Sequence, residues 1–140
     1  MNIYVDTGAS FALSDSRDMH HGRASEYALR MERQNRFLTS SYVIVEAWLL
    51  IRNKLGYHIA MGFLERIRGG GVQIEHVTVS DLDKAAKILA LYSDQQFSLV
   101  DAVSFVIMER LNISHAFSFD VHFQIYRFGA KNERRFTVVP

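Results

Sequence analysis

The chain has 140 residues, 49% of them apolar and 22% charged, with a formal net charge of +1 and no cysteine. That length suits one domain able to bury roughly 70% of its unfolded surface, and the composition is globular rather than disordered. Absent thiols exclude disulfides, iron–sulfur clusters and thiolate zinc sites, and no apolar run approaches the roughly 20 residues of a membrane-spanning helix. The N-terminus enters a strand-like run without a basic stretch or cleavage pattern, so the expectation is a soluble, cytoplasmic protein.

Asn2–Asp6 reads as a short buried strand ending at Asp6-Thr7-Gly8. From about Ser16 to Gln34 the pattern is helical, with Asp18 in the first turn and Arg30 and Arg33 near the end, as a helix dipole prefers. Phe37–Thr39 is a brief strand. Ser40 or Ser41 is placed to cap the next helix, which carries Glu46 and Trp48 and stops at Gly56. Tyr57–Arg68 is a further helix closed by Gly69-Gly70-Gly71, a flexible turn rather than a phosphate loop because no Gly-Lys-Ser/Thr follows. Val72–Val77 is strand-like, and Ser80 is expected to cap a helix running to about Tyr92. Ser98 caps the helix of Asp101, which ends near Asn112. Ser114–Phe119 is a strand, a short helix follows Asp120, and Arg135–Val139 is the last strand. Strands alternating with helices predict an α/β layer fold with a mainly parallel sheet. Nothing resembling a linker or repeat divides the chain, so residues 1–140 form one domain.

Four carboxylates stand out. Glu46 is the only charge in Tyr42–Ile51, and Asp101 is the only charge in Ser98–Met108. Asp6 and Asp120 each follow an apolar strand-like run. Burying an unpaired carboxylate costs several kcal/mol, and neither helical segment supplies a Lys or Arg to pair with its acid. In an open parallel sheet, functional groups gather at the carboxyl ends of strands. Converging oxygen ligands suit Mg²⁺ or Mn²⁺ rather than zinc, and four acids leave room for one or two ions. Two ions roughly 4 Å apart serve both the attacking water and the leaving oxygen in phosphodiester cleavage. Each acid also has a plain structural explanation. Asp101 completes a Ser98-x-x-Asp101 capping box, and Asp6 and Asp120 are placed as helix N-caps. Glu46 lies a turn beyond its cap and out of register with Arg52, which leaves a surface-facing position.

Taken in order, Ile3-Tyr4-Val5-Asp6-Thr7-Gly8, Val45-Glu46, Leu99-Val100-Asp101-Ala102 and Ser118-Phe119-Asp120-Val121-His122-Phe123 resemble the PIN domain, particularly the VapC-type small ribonucleases. The resemblance covers essentially the whole chain. It implies a three-layer α/β/α sandwich and divalent-metal-dependent cleavage of RNA. By matching motifs, Asp6, Glu46, Asp101 and Asp120 are the implied metal-binding catalytic acids. Thr7 supplies the hydroxyl beside the first aspartate, and Ser118 stands where the family often has Thr. The resemblance further implies an RNA substrate, a homodimer, and an antitoxin partner that blocks the acidic cleft.

Basic residues collect at Arg17–Arg36, around Arg52, Lys54, Arg66 and Arg68, and at Arg127–Arg135. Such clusters suit phosphate backbones, and equally a solvated helix face. Among six histidines none has metal-ligand spacing; His20 and His21 are adjacent and point differently, whereas His122 is close enough to Asp120 to touch RNA or carry a proton. Competing readings are a PIN-like module that binds RNA or protein without cutting, a housekeeping nuclease without an antitoxin, and a phosphatase-type hydrolase with Asp6 as nucleophile. The last lacks the second aspartate two residues after the first.

Overall fold

A computed structural model describes residues 1–140. Its centre is β1 (Asn2–Val5), whose side chains are divided by the two-residue period of a strand. Ile3 and Val5 enter one apolar cluster, and Tyr4 enters another on the opposite face. A strand buried on both faces is apolar throughout, which is why this run shows no polar alternation.

Five parallel strands lie in the order β3 (Gln73–Glu75), β2 (Arg36–Ser40), β1, β4 (His115–Phe117) and β5 (Thr137–Val139). Parallel neighbours need long crossovers, here made by helices. Between β1 and β2 run α1 (Thr7–Ser14) and α2 (His21–Met31), which set Ala9, Ala12, Ala24 and Tyr27 against Ile3, Val5 and Phe117. The opposite face is covered by α5 (Val79–Leu91), α6 (Leu99–Arg110) and the short α7 (His122–Ile125), packed with Phe136 around Tyr4, Leu38 and Ala116. A helical hairpin, α3 (Ser41–Leu55) and α4 (Tyr57–Arg68), turns at Gly56, whose φ of +96° is a region side chains disfavour. The result is the expected three-layer α/β/α sandwich with a parallel sheet. No helix is long and apolar enough to cross a membrane.

The helix expected over Ser16–Gln34 is shorter, α2 alone over His21–Met31, and a separate helix, α1, precedes it across a turn. Thr7-Gly8-Ala9-Ser10 has too little apolar bulk to show helical periodicity, yet those small residues let α1 lie close on the sheet. Asp15 and Asp18 make the break, because their carboxylates accept from the Arg17 and His20 backbone N–H groups at 3.0 and 2.8 Å. Asp18 therefore shapes the turn instead of charging a first helical turn. The cap of α5 is Thr78, not Ser80, and it forms a reciprocal capping box with Asp81. For α3 the cap is Ser40, while the Ser41 hydroxyl accepts from the Val77 N–H.

Candidate active site

The strand order places a switch point between β1 and β4: the chain moves from β1 outward through β2 to β3, then returns to β1's other side. Crevices at such points, beyond the carboxyl ends of the strands, are where α/β sheets bind ligands. Asp6 follows β1 and Ser118 follows β4 there.

Asp6 holds the N-cap position of α1, but its side chain makes no capping hydrogen bond. Its Oδ2 instead accepts from the buried Ser118 hydroxyl at 2.9 Å. That same hydroxyl oxygen accepts the Asp120 backbone N–H at 3.0 Å, so one serine fixes both acids. Burial pushes the Asp6 carboxyl from 3.8 up to about 7; the Ser118 and Thr7 hydrogen bonds oppose the rise, and the charges of Asp101 and Asp120 add to it. The Thr7 Oγ1 beside it is buried without a hydrogen-bond partner.

Asp101 does complete its capping box with Ser98, and the box uses only part of the carboxylate. Oδ2 accepts from the Ser98 N–H at 2.9 Å and also meets His122 Nδ1 at 2.8 Å, while Oδ1 has no partner. One turn further along α6, Ser104 hydrogen-bonds the buried Tyr4 hydroxyl at 2.8 Å. This bond joins α6 to β1 two residues before Asp6 and sets the height of Asp101 above the strand end. Asp120 is not the N-cap expected of it, since Val121 holds that position at α7; its Oδ1 instead accepts from the His122 backbone N–H at 2.9 Å and lies 3.3 Å from His122 Nδ1. Carboxylates only accept, so His122 carries its proton on Nδ1.

Ligand atoms of Asp101, Asp120 and His122 lie within 4.8 Å of one another. Asp6 is outside that trio, though close enough to feel both acids. Glu46 is half-buried on the second turn of α3 and makes no hydrogen bond or ion pair, and it is not a member of the trio. Neither Lys nor Arg pairs with any of the four acids. Crowded carboxylates, free acceptor oxygens and an orphaned hydroxyl at Thr7 fit a hydrated hard cation. Tyr4 and Ser104 are positioning residues that sequence motifs do not mark; their only visible signal is one serine inside the otherwise apolar Ala102–Met108.

The PIN domain profile matches residues 3–129. The chain is 31% identical to a protein named 23S rRNA-specific endonuclease VapC20 of Mycobacterium tuberculosis over 121 residues, which are 86% of this chain and 91% of that one. Ribonuclease VapC26 of the same organism is 26% identical over 139 residues, 99% of this chain and 100% of that one. The crystal structure of VapC20, described as a sarcin–ricin loop cleaving toxin, superposes with a TM-score of 0.78 at 30% identity, covering 85% of this chain and 90% of that chain. VapBC2 from Rickettsia felis shares the fold at 10% identity with a TM-score of 0.69, covering 89% of this chain and 92% of that chain. The chain belongs to the PIN-domain family and, within it, to the VapC-type ribonucleases.

Proposed function

We propose that this chain is a divalent-metal-dependent endoribonuclease, the toxin of a toxin–antitoxin pair, with Asp6, Asp101 and Asp120 holding Mg²⁺ or Mn²⁺ and Glu46 as the fourth acid of the site. One observation carries the reading: carboxylates from β1's end, α6 and the loop after β4 gather at the switch point with no Lys or Arg among their partners. When bound, a divalent ion acidifies water and offsets charge on the phosphate under attack. Ser118 orients Asp6 and Asp120 through its single hydroxyl. His122, protonated at Nδ1, holds Asp101 and Asp120 in one geometry. Exposed Arg17 and Arg23 supply positive charge for the RNA backbone near the α1–α2 turn.

VapC-type membership supports a cognate antitoxin and a cytoplasmic setting. A homodimer is favoured by exposed Val45 and Leu49 on α3 and Ile59 on α4. The RNA to test first is 23S ribosomal RNA, the substrate in the relative's name. Wild-type protein with Mg²⁺ or Mn²⁺ should cut it at discrete positions, EDTA should stop the cutting, and Asp6→Asn and Asp101→Asn should both be inactive. Undiminished cleavage by both variants would remove the acids from the mechanism.

A further inference from the structure

His20 lies in the turn between α1 and α2, and its imidazole stacks on Phe119 with ring centroids 4.2 Å apart and planes 7° from parallel. Phe119 joins Ser118, which grips Asp6, to Asp120, so the stack stands one residue from the acid site. The Phe119 ring is seated from below: it packs on the cluster of β1, α1 and α2 and meets the edge of Phe117 at 6.3 Å. His20, above it, is half-exposed, and neither of its ring nitrogens has a hydrogen-bond partner.

Turn geometry does not depend on this stack. Asp18 already holds the His20 backbone N–H, Asp15 holds that of Arg17, and the His21 ring is bonded to the Ala12 carbonyl at 2.7 Å. A flat, partly open ring with two free nitrogens, three residues from exposed Arg17 on one side and Arg23 on the other, thus rests on the residue that links Ser118 to Asp120 without a structural task of its own. Nucleobases stack on aromatic and imidazole rings irrespective of their sequence, and their ring edges offer donors and acceptors. We propose that His20, supported by Phe119, is the platform on which one unpaired nucleobase of the RNA stacks next to the phosphate that is cut. The base must be unpaired or splayed out, because a base inside a helix has both faces covered. This inference rests on the RNA-cleaving reading above.

The test uses an RNA oligonucleotide spanning the cut mapped on 23S ribosomal RNA, with single abasic sites placed in turn on either side of it. For wild-type protein, one abasic position should raise KM about fivefold or more. His20→Ala should raise KM on intact RNA by a similar factor with kcat held within about twofold, and should lose nothing further on that abasic RNA. His20→Phe, which keeps a stacking ring, should restore most of the KM, and an unchanged thermal midpoint in both variants separates the effect from folding. A wild-type KM in His20→Ala, or an abasic penalty that persists undiminished in it, would overturn the platform while leaving the nuclease intact. Failure of the wild-type protein to cut RNA at all would defeat the parent reading and the platform with it.

Discussion

Two buried aspartates in this chain occupy the same local motif and meet opposite surroundings. Asp81 and Asp101 each complete a capping box at the third position of a helix, with Thr78 and Ser98 respectively. Arg110 reaches Asp81 with Nε at 2.9 Å and a second nitrogen at 3.0 Å, and its remaining nitrogen holds Glu75 at 2.7 Å. Burial pushes the Asp81 carboxyl up, but the Arg110 and Thr78 hydrogen bonds together outweigh it and hold the group below the usual carboxylate range. Asp101 has only His122, and its neighbour Asp6 is driven upward by burial. The same sequence motif therefore marks a structural acid in one place and a candidate ligand in the other. What separates them is the chain's own cation: Arg110 pairs with Asp81, and no Lys or Arg pairs with the acids at the switch point.

Substitution exposes this contrast most sharply. Asp6→Asn should reduce RNA cleavage at least about a hundredfold, as loss of one charge-stabilising group does elsewhere, while the metal-free protein melts at the same temperature or higher because a crowded buried charge is gone. Arg110→Ala should do the reverse. Removing it leaves Asp81 buried beside Glu75 without a cation, which costs about 1–3 kcal/mol of stability for this partly solvated pair, read as a lower urea midpoint. The folded fraction should retain wild-type kcat. Equal effects of the two substitutions on melting would erase the distinction.

Ser118→Ala tests positioning within the acid site. It deletes the donor to Asp6 and the acceptor for the Asp120 N–H, so metal affinity should fall about tenfold, in the range seen when outer-shell partners are removed. A pH effect tests the same burial through its proton. Asp6 titrates at 3.8 ordinarily and at about 7 in the folded chain, so between those values the folded protein keeps a proton that the unfolded chain has released. Metal-free protein should lose a few degrees of melting temperature as pH rises through that window, and added Mn²⁺ should stabilise more at pH 7.5 than at pH 5.5. A melting temperature flat over this range, with an equal response to Mn²⁺ at both values, would contradict the buried-acid account.

Much of this is legible in the amino-acid sequence itself. Apolar strands ending in acids, Ser-x-x-Asp at α6 and Gly56 as a helix stop are local signals, and the ordered motifs carried the family. Less visible was α1, whose small residues hide helical period, and the Asp15 and Asp18 side-chain turns that split it from α2. Asp81 could not be told from Asp101 by sequence, because Arg110 lies 29 residues away and pairs with it only through the packing of α5 on α6. Glu46 illustrates the other limit. Its isolation among apolar residues identified it as unusual, and it is not among the Asp101, Asp120 and His122 trio whose ligand atoms lie within 4.8 Å of one another.

Titration of Mn²⁺ into metal-free wild-type protein and Asp6→Asn at pH 7.5, followed by calorimetry, tests the central claim most directly. Saturable binding by the wild type that is lost or severely weakened in Asp6→Asn is the predicted result. Identical isotherms for the two proteins, or no binding to either, would contradict it.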